Sequence, residues 1–316
     1  MQPLVSVVLP AYNRLQYLPA AVDSVLAQTF ERWELIIADD GSDDETRAYL
    51  KTLEHLSRVT VLRLTHSGNP GVARNAALRI ARGEYVAFLD SDDTWMPTKL
   101  EVQLAALHAA PDCHWSYTDH IRVNEAGLSI NSERNPNRTL PGGEIVEQLL
   151  RLQAGTPTPT IMAERTLIGR AGGFDEQQGL HEDYDLWLRL ALLSKVLALK
   201  EPLACVRRHG DHFSSGGVRS LEARLRVFAK MHSLITGLQL RSVLRAERVR
   251  HAGWLAAAYA ACGDVGGVWW AIVAGWPYSW RSVHWYAACV RAVARVVAPQ
   301  WLLMFVRQAR QATPRP

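Results

Sequence analysis

Apolar runs recur along the first part of the chain, at Val5–Leu9, Leu35–Ala38, Val59–Leu64 and Tyr85–Leu89. Short and unbroken, each reads as a strand buried on both faces. The segments between them change period. Leu18, Val22, Val25 and Leu26 fall at i, i+4, i+7 and i+8, which marks one face of a helix. Val72, Ala76 and Ile80 repeat that spacing, and Leu100, Leu104 and Leu107 do so after the fourth strand. Strands alternating with helices build βαβ units. The expected fold is α/β, a Rossmann-like, mostly parallel sheet with flanking helices.

In such sheets ligands bind beyond the carboxyl ends of the strands. Three polar clusters follow those ends: Pro10-Ala11-Tyr12-Asn13-Arg14, Asp39-Asp40-Gly41-Ser42-Asp43 and Asp90-Ser91-Asp92-Asp93. They are expected to converge on one rim. From about 115 to 165 the pattern weakens, and residues 124–143, rich in Asn, Gly, Pro and Ser, read as a long mobile loop over the site. A helix is expected at Glu182–Leu193 and a short strand near Val196–Leu199. Beyond 219 the spacing is helical, with breaks expected at Gly263, at Gly275-Trp276-Pro277 and at Pro299.

Charge divides the chain where the pattern changes. The net is +4 over 316 residues, but residues 1–218 carry 21 Lys+Arg against 28 Asp+Glu, and residues 219–316 carry 14 against 3. Seven of the eleven tryptophans also lie in that basic tail, so the expected domains are 1–218 and a helical C-terminal extension, 219–316. The four cysteines stand far apart without metal-ligand spacing, which argues against a zinc site or a disulfide framework and favours a reducing cytoplasm. The opening residues read as a first strand rather than a secretion signal. Arg291 and Arg295 interrupt the nearest approach to a membrane span, Val283–Val306.

Among the polar clusters, Asp90-Ser91-Asp92 carries the plainest chemistry. Carboxylates two apart on an extended chain point the same way and can face one cation, which would bridge diphosphate oxygens. A solvated acidic turn is the competing reading of so short a motif, but the buried run Tyr85–Leu89 before it favours a site. Asp40 can accept from a nucleobase imide or a ribose hydroxyl while Asp43 caps the next helix. Tyr12 can stack on a base. Gly71-Val72-Ala73-Arg74-Asn75 opens a helix with an arginine in its first turn, an arrangement suited to a diphosphate. Asp175, Glu182, Asp183 and Asp185 crowd within eleven positions. A positioned carboxylate there could take the proton of an attacking hydroxyl, although acidic residues also serve a helix N-terminus. His209, after Arg207-Arg208, is a candidate metal or diphosphate contact.

Taken in order, these segments together with Gly83-Glu84-Tyr85 and Gly173-Phe174-Asp175 resemble the family-2 glycosyltransferases, inverting enzymes of the A-type glycosyltransferase fold. The resemblance covers about residues 4–215. It implies a nucleoside-diphosphate-sugar donor, with UDP or dTDP favoured, and a Mn²⁺ or Mg²⁺ ion. It implies Tyr12 and Asp40, with Asp39 second to it, at the nucleobase, Arg74 near the nucleotide and Asp90 near the ribose or metal. Asp92 and His209 would be the metal ligands and Asp183 the general base, with Glu182 and Trp187 at the acceptor pocket. The chain lacks the QxxRW signature of processive synthases, so one sugar per encounter is expected. The loop at 124–143 is expected to order over bound donor and exclude water.

The tail lies outside the resemblance. One reading packs its tryptophans in a core and leaves its arginines in water. The other sets the tail on an anionic membrane, beside a lipid-linked acceptor at the inner face of the cell membrane. Nucleic acid is not an expected partner, because the excess charge is diffuse. A sugar nucleotidyltransferase would carry a glycine-rich phosphate loop after the first strand, and Pro10–Arg14 holds no glycine. A non-catalytic nucleotide-sugar binder is the alternative from another class, and it would have no use for Asp183.

Overall fold

A computed structural model describes residues 2–130, 140–208, 217–279 and 283–297. The chain divides into two compact units, Met1–Phe213 and Ser214–Pro316. The first is built on one eight-stranded sheet. Its strands are β1 (Val5–Ala11), β2 (Trp33–Asp39), β3 (Val59–Arg63), β4 (Tyr85–Phe88), β5 (Thr94–Trp95), β6 (Cys113–Val123), β7 (Met162–Glu164) and β8 (Lys195–Arg207), in the spatial order β3-β2-β1-β4-β7-β6-β8-β5. The pairs β1–β2, β2–β3, β1–β4 and β6–β8 are parallel, whereas β7 and β5 enter antiparallel. Helices α1 (Leu18–Leu26), α2 (Asp44–Leu53), α3 (Pro70–Ile80) and α4 (Lys99–Ala109) flank the sheet, followed by α5 (Val146–Leu150), α6 (Arg165–Ala171) and α7 (Glu182–Leu193).

The order matters for function. The chain winds outward from β1 to β3, then returns to place β4 on the other side of β1. That reversal opens a crevice at the carboxyl ends of β1, β2 and β4, the place where open α/β sheets bind ligands. Below it, Val7, Leu9, Leu35, Ile37 and Ala87 are fully buried with Leu18, Val22 and Val25 of α1. Leu26, read from its spacing as part of that face, turns outward instead. The far end is tied by Glu34. Burial raises its carboxyl, but hydrogen bonds from Ser6 Oγ and from the Arg82 backbone and guanidinium outweigh burial and hold it low.

Two corrections concern the first unit. The buried face of α3 is Gly71, Ala73, Arg74 and Ala77, not Val72, Ala76 and Ile80; Ile80 is exposed. Ion pairs draw Arg74 inward, and the helix turns with it. The span from 115 to 165 is also more regular than its pattern suggests, because the eleven-residue strand β6 enters it from Cys113 and continues to Val123. Of the loop expected at 124–143, Asn124–Leu128 forms a turn stitched by Leu128 N–H to Asn124 O δ1 and Asn124 N–H to Leu128 O, and 131–139 lie outside the described residues.

Lys99 is a buried cation at the start of α4. Its Nζ donates to Gln103 Oε1 and lies 4.3 Å from the Trp95 ring centroid. Burial pulls its pKa down to about 7. The folded state therefore holds fewer protons than the unfolded chain between that value and the ordinary lysine range, and stability rises with pH across the window. Against Lys99→Met, wild type is expected to gain about 2 kcal/mol from pH 7 to pH 9, read from urea midpoints. Parallel pH profiles would remove the account of Lys99.

The second unit is helical: α8 (Val218–Leu234), α9 (Leu238–Ala261), α10 (Val265–Ser279) and α11 (Val283–Val297), with α8, α10 and α11 each packed on α9. The expected break at Gly263 is present, with φ +75° after α9. The expected break at Gly275-Trp276-Pro277 is not, since all three lie inside α10. A Cβ on Gly275 would stand 3.0 Å from Ala252 Cβ, so this glycine lets two helices approach rather than turning the chain. Pro277 falls in the last turn, where one lost hydrogen bond is tolerated. Pro299 lies outside the described residues. No described helix is long and apolar enough to cross a membrane.

Candidate active site

The three strand-end clusters meet as their order requires. Ala11 stands opposite Asp39 in register, and Asn13 locks the two loops: its N–H donates to Ser42 Oγ at 3.1 Å and its Oδ1 accepts from Asp43 N–H at 2.7 Å. Asp43 caps α2 by accepting from Thr46 N–H. Asp39 is 1% exposed and accepts from Ser42 N–H at 3.0 Å. Its Oδ1 is engaged by the turn.

Asp40 anchors a loop that carried no motif. Its Oδ1 accepts from Ser67 N–H and Oγ, both at 2.9 Å, and its Oδ2 accepts from Gly68 N–H at 2.9 Å and faces His66 Nδ1 at 3.1 Å. Gly41 makes this possible, because at φ +77° a Cβ there would meet His66 N at 2.9 Å. His66 in turn stacks on Tyr12, ring centroids 4.1 Å apart, and both remain partly open to solvent. The rim thus presents an aromatic pair above a buried carboxylate.

At the end of β4 the carboxylates accumulate. Arg74, 4% exposed, donates through Nη2 to Asp90 Oδ1 and through Nη1 to Glu182 Oε1, each at 2.6 Å. It is a buried strut between β4 and α7 rather than a guanidinium offered to a phosphate, and Glu182 faces it rather than an acceptor pocket. Burial opposes the Arg74 cation, but Asp90, Glu182 and Asp183 hold its pKa up. Burial likewise raises Asp90 against the pull of Arg74, with the Asp92 charge adding to the rise. Glu182 is pushed up to about 7, by burial first and by Asp183 next. Asp93 is raised well above its ordinary value, by burial and by Asp92 and Asp90.

Arg207 holds this turn in place, a role the sequence offered no way to read. Its amide donates to Asp93 Oδ1 at 2.7 Å, its Nε to Asp92 O at 2.8 Å and its Nη1 to Glu125 O at 2.7 Å. His209, two positions on, lies outside the described residues. Among the described residues, Arg74 reaches into the acidic turn and Arg207 pins its backbone.

Asp183 approaches from α7. Its Oδ2 accepts from Thr158 Oγ1 at 3.0 Å and its Oδ1 from Tyr184 N–H at 2.6 Å. Its charge is among the causes that raise both Asp90 and Glu182, and Glu182, its neighbour in the chain, is tied to Asp90 through Arg74. The Gly173-Phe174 turn docks this region on α3, with Asn75 accepting from Phe174 N–H and donating to Phe174 O, each at 2.9 Å. Asp185, fully buried, pairs with Arg189 and serves α7 itself. Trp187, 1% exposed, packs among Phe88, Phe174 and Trp115. That placement corrects its assignment to the acceptor pocket, since its ring lies in the core behind the site.

The residues present suit a hard divalent cation. Asp90 and Asp92 offer oxygen donors only, in a turn where burial and neighbouring carboxylates hold Asp90 and Asp93 above their ordinary range. Among the described residues no three His, Cys, Asp or Glu form a complete metal cage. Mg²⁺ takes one or two carboxylates and fills its shell with substrate phosphates and water, and two aspartates meet that need.

Comparison with known proteins agrees with this geometry. Residues 6–161 match the family model described as "Glycosyl transferase family 2". The chain is 32% identical over 237 residues to a putative teichuronic acid biosynthesis glycosyltransferase, TuaG, of Bacillus subtilis, covering 74% of this chain and 90% of that one. It is 32% identical over 208 residues to WfgD of Escherichia coli, a UDP-Glc:alpha-D-GlcNAc-diphosphoundecaprenol beta-1,3-glucosyltransferase, covering 64% and 75%. Among solved structures, residues 1–349 of S. aureus TarS in complex with UDP superpose with a TM-score of 0.69 at 18% identity, over 94% of this chain and 89% of that one.

Proposed function

Because the chain belongs to glycosyl transferase family 2, we propose that it moves one sugar per encounter, with inversion, from a nucleoside-diphosphate donor to a hydroxyl of a glycan or lipid-linked acceptor. The observation that carries this is the Arg74 bridge that ties Asp90, just past the end of β4, to Glu182, the neighbour of Asp183 at the start of α7. Asp183 takes the proton of the acceptor hydroxyl as that oxygen bonds to the anomeric carbon. The bond from that carbon to the β-phosphate oxygen breaks, and its electron pair leaves with the nucleoside diphosphate. Thr158 fixes the Asp183 rotamer. Asp92 and Asp90 would hold a Mn²⁺ or Mg²⁺ ion, which would supply positive charge to offset that on the departing nucleoside diphosphate.

The nucleobase lies on the Tyr12–His66 pair, and an imide N–H takes the place of His66 Nδ1 at Asp40 Oδ2. UDP and dTDP present that edge. The UDP-bound TarS structure and the UDP-glucose named for WfgD support uridine, and the teichuronic acid biosynthesis named for TuaG and the diphosphoundecaprenol acceptor named for WfgD support a polysaccharide or lipid-linked acceptor. The domain taking part in transfer is 1–218, with the basic extension 219–316 meeting the membrane peripherally.

Thermal stabilisation by UDP, dTDP, GDP and CDP, with and without Mn²⁺, tests the donor site, since a ligand bound to the native state raises apparent stability. One uracil or thymine nucleotide is expected to give a metal-dependent shift that Asp92→Ala abolishes. A shift indifferent to Mn²⁺ and to Asp92 would remove the cation from the site.

A further inference from the structure

We propose that the groove between α9 and α11 binds the phosphate head and adjoining chain of an anionic lipid, and so seats the second unit on a membrane surface. The groove encloses about 410 Å³. Arg250, Arg291 and Arg295 line it together with Trp254 and Trp285, and small residues such as Gly253 and Ala292 keep it open. A site with guanidinium groups over an apolar floor matches an amphiphile whose charged end is a phosphate, because guanidinium pairs with phosphate oxygens in a planar, two-pronged fashion.

The charge is uncompensated where the groove needs it. Arg291 and Arg295 are exposed and one helical turn apart, an arrangement that repels unless an anion intervenes. The tail holds three carboxylates, and each is engaged, Glu247 by Arg250 of the groove itself, so the uncompensated charge there is that of Arg291 and Arg295. Glu222 accepts from Tyr259 Oη, Glu247 pairs with Arg250, and Asp264 accepts from Gly267 N–H at 2.9 Å. Nothing acidic among the described residues of this unit is left for Arg291 or Arg295.

A second feature selects a lipid over a free phosphate. Helix α10, packed on the same α9, contains no charged residue, yet Trp269, Val273 and Trp276 lie at i, i+4 and i+7 with exposures of 55, 66 and 60%. Its opposite face, Val268, Ala271 and Gly275, is the one buried. Trp276 continues this stripe to Tyr286 of α11, ring centroids 6.1 Å apart. An apolar face of this size on a soluble surface calls for a partner. At 15 residues the helix is too short to span a bilayer, whereas exposed tryptophan beside arginine is the composition that settles at the headgroup level. The packing reading of the tail, with tryptophans in its core, holds for Trp285 but fails for Trp254, Trp269, Trp270 and Trp276, which are about half exposed.

Co-sedimentation of the full chain with phosphatidylglycerol and with phosphatidylcholine vesicles tests this. Binding to the anionic vesicles is expected to exceed binding to the neutral ones at least tenfold. Arg291→Gln/Arg295→Gln is expected to weaken it roughly 25-fold, about fivefold for each arginine near a charged surface. Arg219→Gln/Arg226→Gln removes the same charge at exposed positions of α8 and is expected to cost no more than a few-fold. Equal losses from the two pairs would replace the groove by diffuse attraction, and equal binding to both vesicles would overturn the proposal. Inorganic phosphate at the same phosphate concentration is expected not to displace the protein; displacement would make the groove a phosphate site without lipid. If the arginine pair instead holds two copies of the chain together, its variant will dissociate a dimer in sedimentation velocity without altering vesicle binding, and the lipid assignment falls. Nucleotide-induced thermal shifts, measured on the same variants, are expected to match wild type, so a failure here is separable from a failure of the transferase reading. Should the double variant not fold, quenching of wild-type tryptophan fluorescence by brominated phosphatidylglycerol gives the answer: no quenching rejects the site.

Discussion

Asp183→Asn is expected to retain nucleotide binding and lose transfer. The substitution keeps the shape: the amide oxygen still accepts from Tyr184 N–H, and its NH2 can donate to Thr158 Oγ1, which reverses that bond, so the start of α7 and its contacts persist. What it removes is a base for the acceptor hydroxyl, a contribution of roughly 10²–10⁴-fold in kcat. Thermal shifts with UDP and Mn²⁺ are expected within a degree or so of wild type, which separates a lost base from a lost donor site. Thr158→Val supplies the graded control. It frees the Asp183 carboxylate without removing it, so a smaller fall in kcat is expected, with little change in KM for the donor. A variant Asp183→Asn that transfers sugar at near wild-type rate would assign the base elsewhere.

Thr158 also illustrates what the sequence conceals. It lies 25 positions from Asp183 in a segment without periodic pattern, and only the fold brings its hydroxyl to the carboxylate. The same holds for His66 and Ser67, which secure Asp40 from a loop that reads as a plain turn. The strand-end clusters were legible for the opposite reason. Each follows an apolar run directly, and parallel strands place such ends on one rim whatever the details of packing. Strand β6 escaped notice because its inward positions include Ser116, Thr118 and His120, buried polar residues that break the apolar signal yet fit the interior. Ser116 Oγ, for example, accepts from Gln103 Nε2 at 3.0 Å. Helix α3 misled for a related reason. A period count treats arginine as an outward residue, and Arg74 points in.

Arg74 is the residue on which the site's architecture turns, and Arg74→Met is expected to destabilise the first unit by about 3–5 kcal/mol. Methionine fills much of the volume but leaves Asp90 and Glu182 without the cation that each meets at 2.6 Å. The cost is that of two uncompensated carboxylates rather than of a lost contact. Its pH dependence follows from the direction of the shifts. Glu182 already stands at about 7, above its ordinary value of 4.5, because burial and Asp183 outweigh Arg74. Without Arg74 it rises further. A carboxyl raised in the folded state stabilises below its unfolded pKa, and that stability is lost as pH climbs through the folded value. Arg74→Met is therefore expected to lose more against wild type at pH 8 than at pH 5. Adding Glu182→Gln removes one of the two orphaned charges, and the double variant is expected to recover part of the loss, with a coupling energy of about 1–3 kcal/mol. Urea unfolding of the four proteins at both pH values reads all of this. Additive losses, equal at the two pH values, would mean that Arg74 acts through packing and that the acidic cluster is held by something else. If the coupling appears, Arg74 acts by offsetting the negative charge that α7 and the end of β4 bring together.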